Sequence, residues 1–548
     1  MRRKKRRLAL GVAAAAGIAA VAVAASAIAG PGDTTVVAGE PSLQGPSSSQ
    51  TPYIIRTQPG LITESVLTTG DSVGGYRMAG IPDGLGAFDN GDGTFTVLMN
   101  HEIPNTSGVA RAHGSAGAFV SKWIVDKATH EVLSGQDLIQ TVQLWNGTAY
   151  APGTTAFNRF CSADLPARSA FYNATTDKGY DGRLFMDGEE ASDGRAFAHE
   201  LTGTSWQLPA LGRLAWENSV ASPSSGDTTA VVGLDDSTPG QVYVYLGQKQ
   251  TTGTPIEKAG LTNGKVYGIK VAGLSTETNA TTIAPGTRFD LVDLGNRTNS
   301  TAPQLEADSN TAGVTRFLRP EDGSWDPSNA KRFYFVTTNA FNAPSRLWRL
   351  TFDDPANPAA GGTIEQALDG TEGQQMLYNI TVAENGDVLA LEDVGNNTRL
   401  GKVWRYDAAA DTLTEIARHD AARFLSGSPN FITQDEENSG IIPLPFLGKE
   451  TYLLDTQAHF ANGAELVEGG QLQIIQWTDP ANLSALAERL VGGKADDKLV
   501  RELGKASGKD VSKRLDDFRR ELGKQVGNGT ISWADGALLG QLADEIHP

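Results

Sequence analysis

The run Ala87-Phe88-Asp89-Asn90-Gly91-Asp92-Gly93-Thr94-Phe95-Thr96-Val97-Leu98-Met99 decides how this chain is read. It sets Asn-Gly between two alternating apolar stretches, and Asn-Gly supplies the two positive-φ residues that a tight antiparallel turn needs. A second copy of the pattern occurs at Ile380-Thr381-Val382-Ala383-Glu384-Asn385-Gly386-Asp387-Val388-Leu389-Ala390-Leu391. Both read as β-hairpins. Asp89 and Asp92 mimic part of a calcium loop, but the remaining ligand positions of such a loop are missing, so they read as turn residues.

Working outward, residues 53–477 consist of short β-rich runs broken by Gly, Asn, Asp and Pro, with no long amphipathic helix. An aromatic strand running into a polar turn recurs at Lys122–Asp126, Gln241–Tyr245, Lys265–Ile269, Arg346–Leu350 and Lys402–Asp407. Each copy reads as the strand that closes a four-stranded blade. Repeated hairpins over about 420 residues favour an all-β propeller, in which radial repetition leaves only short, protected edges. A tandem of β-sandwiches is the alternative. After Trp477 the period changes: Pro480–Leu490, Ala495–Leu503, Val511–Leu522 and Trp533–Ile546 are helical in pattern, with Asp479-Pro480 and Ser532 as helix starts. Residues 478–548 form a small helical appendix, packed on the body or free.

The N-terminus carries Arg2-Arg3-Lys4-Lys5-Arg6-Arg7, then an Ala/Val-rich run ending in small-residue cleavage sites at 25–29. Residues 1–29 read as a signal peptide rather than a membrane span. The Arg6-Arg7 pair leaves both the general secretory and the twin-arginine routes open, so the expected location is secreted or cell-surface. Residues 30–52, rich in Gly, Pro, Ser and Thr, read as a disordered tether. The formal charge of −18 becomes −24 without the six basic residues. No basic footprint for nucleic acid remains.

Chemistry gathers around Phe157-Asn158-Arg159-Phe160-Cys161-Ser162-Ala163-Asp164-Leu165-Pro166, which holds the only cysteine in 548 residues. A single cysteine in an exported chain is either a small buried hydrophobe or a thiolate kept for metal binding or reactivity. Arg159 would favour the thiolate. Acids at Glu102, Asp187, Glu189, Glu190, Glu217, Asp235, Asp236, Glu321, Asp322, Glu392 and Asp393 turn the balance toward a mixed sulfur and oxygen metal site. There is no Gly-x-Ser-x-Gly elbow, no phosphate-cradling glycine loop and no βαβ pattern for a dinucleotide. His101, His199 and His459 read as strand-end histidines bonded to backbone rather than as ligands.

Several of these motifs together resemble the PhoX-type alkaline phosphatases, a secreted bacterial family. They are Asn100-His101-Glu102, the Arg159/Cys161 stretch, Gly188-Glu189-Glu190, Val231-Val232-Gly233-Leu234-Asp235-Asp236, Arg319-Pro320-Glu321-Asp322-Gly323 and Leu391-Glu392-Asp393. The resemblance covers roughly 82–477. It implies a six-bladed propeller whose central pocket holds iron and calcium, with small phosphate esters as substrates. On the same basis Cys161 and Glu321 are expected to ligate iron and Arg319 to grip the phosphate. Glu190, Glu217, Asp236 and Glu392 are expected as further metal ligands. The chain departs from the family in having Ser162-Ala163-Asp164 after the cysteine and Asp187-Gly188 before the acidic pair.

The resulting expectation is an exported, metal-dependent phosphoesterase on a propeller. The alternatives are a calcium-dependent lactonase or phytase-like hydrolase, which needs no thiolate, and a non-catalytic surface propeller that binds a partner or polysaccharide.

Overall fold

The computed structural model describes residues 34–36, 41–504 and 510–546. The signal-peptide expectation for residues 1–29 lies outside them. Both Asn-Gly hairpins form, through turns in which the glycines, Gly91 (φ +78°) and Gly386 (φ +89°), and not the asparagines, take positive φ. Pro82–Asp89 pairs antiparallel with Thr94–His101, and Leu377–Val382 with Val388–Glu392. At the first turn Asp89 accepts from the Gly91 amide (2.8 Å) and Asp92 from the Thr94 amide (3.0 Å), which is the turn role.

Each hairpin is the inner half of a propeller blade, and there are six blades. From the inside out, the first blade is Pro82–Asp89, Thr94–His101, Phe119–Asp126 and Val132–Asp137. In the second, Leu184–Gly188, Gly194–Glu200 and Thr204–Gln207 are completed by the earlier strand Thr141–Trp145, which runs parallel to its neighbour. The third holds Trp216–Ala221, Thr228–Asp235, Gly240–Gln248 and Lys265–Val271. The fourth holds Pro320–Trp325, Arg332–Thr337, Arg346–Phe352 and Gly362–Leu368. The fifth holds Leu377–Val382, Val388–Glu392, Lys402–Asp407 and Thr412–His419. In the sixth, Glu436–Pro443, Thr451–Ala458 and Gly469–Trp477 take Leu61–Thr68 from the N-terminal side as their outer strand. The two ends of the β region therefore close the ring by sharing a sheet.

Closure is also visible in the core. A separate apolar cluster fills every gap between neighbouring blades. Phe95 and Trp123 meet Leu453 and Ile474 between blades one and six. Phe157, Phe185 and Phe197 meet Leu98 between one and two. The other four gaps are filled the same way around Trp216, Trp348, Tyr334 and Leu391. Each large side chain buried this way is worth about 1.5–3 kcal/mol, which is what holds blade to blade.

The recurring aromatic strands are not the closing strands the sequence implied. Phe119–Asp126, Gly240–Gln248, Arg346–Phe352 and Lys402–Asp407 are third in their blades, and only Lys265–Val271 is fourth. Their indoles need burial on both faces, which the third position supplies. Trp123 and Trp348 are fully buried there.

Part of the expected tether is packed as well. Ser42–Gln44 runs parallel to Leu61–Thr68, the Gly45 amide donates to the Ser65 carbonyl (2.9 Å), and Leu43 is fully buried. A free sheet edge and one apolar residue suffice to order this segment. The tail forms four helices, Pro480–Val491, Gly493–Leu503, Val511–Gly527 and Trp533–Glu545. Asp479 and Ser532 cap the first and last through the Asn482 and Asp535 amides. The helices pack on the body: Leu43 and Ile62 join Leu483, Phe518 and Leu539 in one cluster. Arg489 reaches Glu64 (2.7 Å), and Arg56 binds Glu545 (2.8 Å).

Candidate active site

The six inner strands meet around the axis, where hydrogen-bonding groups cannot all be matched by the ladders. The Cys161 stretch wedges between the first two blades. Ala118 bridges Phe157, Phe160 bridges Glu189 and Asp164 bridges Met186, while the Gly84 amide donates to the Cys161 carbonyl (3.2 Å). This lacing delivers Cys161, fully buried, to the axis.

Three groups with the spacing of metal ligands surround it. They are Asp83, Glu102 and Cys161; Cys161, Glu190 and Glu217; and Glu217, Asp236 and Glu321. Shared members join them into one chain of donors. The structure thus brings together five of the six expected ligands: Cys161, Glu190, Glu217, Asp236 and Glu321. Glu392 is not among them. Its carboxylate is taken by Arg399 (2.7 Å), the Trp404 indole (2.9 Å) and the Gln375 amide (3.0 Å). Glu392 ends the second strand of its blade, whereas Glu217 and Glu321 lie on first strands, so the likeness of Glu392-Asp393 to Glu321-Asp322 is only local.

Arg319 stands at one side of the cluster, its Nε 2.7 Å from Asp236 and 2.8 Å from Glu321. Arg159 stands at the other, 2.6 Å from Glu102 and 2.5 Å from Glu190. Both arginines have positive φ, +64° and +50°. Non-glycine residues held in that region cost on the order of 1–3 kcal/mol, and such strain collects at functional sites.

Electrostatics favour a cation here. Burial and the neighbouring Asp83 and Glu102 push the Cys161 thiol well above its usual range, so the thiolate that Arg159 was expected to favour is not favoured by the protein alone. Burial, then Glu102, does the same to Asp83 and to Glu190. Burial, then Asp236, pushes Glu217 up to about 8. Glu321 is raised by burial despite Arg319, and Asp236, though buried, is held low by Arg319. Asp83 Oδ1 and Glu217 Oε2 are buried without a hydrogen-bond partner among the described residues. Buried acids and a thiol with unmet oxygens fit metal cations, which would replace the missing partners and reverse the pKa shifts.

The departures after the cysteine are built into this arrangement. Ser162 Oγ donates to Glu217 (2.5 Å) and accepts from Asn379 Nδ2 (2.7 Å). Asp187 accepts from His199 (2.9 Å), so His199 is partnered by a side chain rather than by backbone. His101 bonds the Gly80 carbonyl (3.0 Å), as expected. His459 differs again, lying between Glu468 (2.6 Å) and Glu437 (3.4 Å).

Asp83 was not foreseen, nor was Tyr378, whose hydroxyl lies 2.6 Å from Cys161 Sγ. Nor was the ring to which Asp83 belongs. Each innermost strand contributes one buried Asp or Asn: Asp83, Asp187, Asn218, Asp322, Asn379 and Asn438. In five blades the strand register shifts at or beside that residue. Such bulges re-aim side chains next to active sites. Asn218 Nδ2 donates to Asp322 (2.6 Å), which also accepts from the Ile380 amide (3.0 Å), so adjacent blades are tied through the ring. Glu217, Glu321, Tyr378 and Glu437 each stand one residue before a ring member. The signal was present in the sequence as Glu217-Asn218-Ser219 and Glu437-Asn438-Ser439, with Glu321-Asp322-Gly323 close to it.

Comparison with known proteins bears on this geometry. The family model described as alkaline phosphatase PhoX matches residues 198–441, the span from the second blade to the start of the sixth. Over that span the chain is similar to the PhoX-type alkaline phosphatases. The structure of Pseudomonas fluorescens PhoX in complex with vanadate, a transition-state analogue, superposes with a TM-score of 0.58 at 11% identity, covering 81% of this chain and 98% of that one. At that identity it speaks for the shared propeller fold. A Penicillium chrysogenum alpha-L-arabinanase (TM-score 0.35, 9% identity, 72% and 93% covered) is more distant. So is a Fusarium graminearum alpha-L-arabinofuranosidase (0.38, 10%, 72% and 93%). No curated protein matches. The three donor groups of this chain have a spacing that could hold metal ions. Among the described residues no helix is long and apolar enough to cross a membrane.

Proposed function

We propose that the axial cluster hydrolyses small phosphate monoesters outside the cytoplasm, with Cys161, Glu190, Glu217, Asp236 and Glu321 as metal ligands and Asp83 and Glu102 extending the set. The observation that carries this reading is the convergence of one thiol and six carboxylates beside Arg319. Iron at the sulfur end and calcium at the carboxylate end follow from the PhoX resemblance and from the preference of thiolate for transition metals and of oxygen for calcium. Bound there, such cations would neutralise the phosphate oxygens and supply an activated nucleophile.

The protein's own part is binding and orientation. Asp236 takes Nε and Nη2 of Arg319 and Glu321 closes on Nε, which fixes the plane of the guanidinium while the side chain stays a quarter exposed. Nη1 is left to bond a phosphate oxygen. Arg159, fixed by Glu102 and Glu190, brings a second positive charge to the opposite flank. Ser162 and the Asp/Asn ring hold Glu217 and its neighbours in place. Export is read from residues 1–29.

Side-by-side assays of the full chain on a phosphate monoester, a lactone and phytate test the proposal. Turnover confined to the monoester is expected. Turnover of the lactone or phytate instead would transfer the site to the calcium-dependent hydrolases, and turnover of none would leave a binding propeller.

A further inference from the structure

The segment that leads from the second to the third strand of the fourth blade starts against Arg319. The Thr338 amide donates to the Arg319 carbonyl (3.0 Å) and the Asn339 amide to the Leu318 carbonyl (3.0 Å). Asn339 has φ +70°, and two residues further on Phe341 is 55% exposed. One edge of its ring is seated against Gly395: a Cβ there would lie 2.1 Å from Phe341 Cδ1 and 3.4 Å from Met376 Cε. Gly395 belongs to the loop 393–399 that leaves the inner hairpin of the fifth blade. Asn397 Nδ2 ties that loop back to the Phe341 carbonyl (3.4 Å). On its other side Gln434 Nε2 reaches Asn396 Oδ1 (3.2 Å), and three residues before Gln434 stands Phe431, 43% exposed.

A single exposed phenylalanine needs no explanation. Here one of the few exposed large hydrophobic side chains of the described residues is seated against the loop, another stands three residues from the Gln434 that reaches it, and Phe341 is carried by the segment bonded to Arg319. The side chains around them are neutral amides: Asn339, Asn396, Asn397 and Gln434. Arg399, the one cation in the loop, is tied to Glu392 and to the Asp393 carbonyl. Asp393, the anion of the loop, accepts from the Gly395 amide (2.6 Å), so with its charges bonded internally this part of the rim presents aromatic and amide groups, suited to a flat apolar group and not to a second phosphate.

We propose that Phe341, assisted by Phe431, is the platform on which the organic part of the ester stacks, so that the enzyme selects phosphate monoesters of flat, uncharged aromatic alcohols. The proposal rests on the reading of Arg319 as the phosphate-binding residue. With the phosphate held there, the ester oxygen faces outward and its substituent meets the rim. Stacking on an aromatic face adds to the area it buries.

The test compares phenyl phosphate with glycerol phosphate as substrates of the full chain, before and after Phe341→Ala. The ratio of ratios removes the difference in intrinsic reactivity of the two esters. Phe341→Ala is expected to raise KM for phenyl phosphate roughly three- to ten-fold, with kcat nearly kept and glycerol phosphate unaffected. Phe341→Tyr should retain the preference, and Phe341→Leu, which keeps an apolar group against Gly395 but no flat face, should lose it. Equal changes for both esters, or none, would overturn the platform. Failure of the unaltered chain to hydrolyse either ester would instead remove the phosphatase reading, and the platform with it.

Discussion

At the axis, Asp83 and Glu217 are buried with carboxylate oxygens that no group among the described residues satisfies, and two arginines are held in a strained backbone region. In the helical tail, Leu483, Leu515, Phe518 and Leu539 are buried among apolar neighbours, the first and last helix starts are capped by side chains, and several charges form surface pairs such as Lys498–Glu521. Apart from the exposed Trp533, the tail is stabilised in the ordinary way, by apolar packing and surface charge. The axis departs from this in several respects at once, at a cost that only a bound partner offsets. That contrast marks the axis as the candidate site.

The largest effect is expected from Cys161→Ser. Serine keeps the size but stays protonated at neutral pH, so it removes a donor shared by two of the three groups with metal-ligand spacing. Turnover should fall at least about 100-fold while the β-rich circular dichroism persists, since loss of even an outer-shell partner costs roughly 10–100-fold. If Cys161 were plain core packing, turnover would be unchanged.

Arg319→Lys comes next. Lysine keeps the charge and the non-glycine strain but loses the planar fork. Turnover should drop about ten-fold or more, as for one lost charge-assisted bond, with metal content intact. Loss of metal together with activity would make Arg319 a scaffold for Asp236 and Glu321 instead.

A smaller effect concerns pH. Burial, then Asp236, raises Glu217 from 4.5 to about 8, so its neutral form lends stability that is complete below its ordinary value and lost as pH rises through about 8. The chelated protein should therefore unfold at a lower temperature at about pH 9 than at about pH 5, and added cations should abolish the difference. A pH-independent midpoint after chelation would show that the acids find partners without metal.

Ending the chain at Asp479 should change activity least. It uncovers Leu43 and Ile62, at about 1.5–3 kcal/mol each, so thermal stability should fall while turnover per folded molecule stays the same. Loss of turnover in a folded product would show that the tail shapes the axis.

The hairpins were legible in the sequence because Asn-Gly acts locally and needs no tertiary context. The donors clustered near Cys161 were legible for their type, and Arg319 for its neighbours. Glu392 stands outside the three donor groups, and this was not legible because sequence shows an acidic pair but not which strand of a blade carries it. Asp83 and the ring were missed for the opposite reason: Asp-Gly and Asn-Ser look like turns, and the intervals between 83, 187, 218, 322, 379 and 438 are too uneven to announce a repeat. Leu43 was lost in a polar stretch because one apolar residue leaves no periodicity.

Metal analysis of the full chain purified without chelator, run beside its turnover of a phosphate monoester, tests the central claim most directly. The account predicts bound iron and calcium, loss of turnover when calcium is chelated, and its return when calcium is restored, because carboxylate oxygens exchange calcium readily while thiolate-held iron exchanges slowly. Metal-free protein with full turnover in prolonged excess of strong chelator would contradict it.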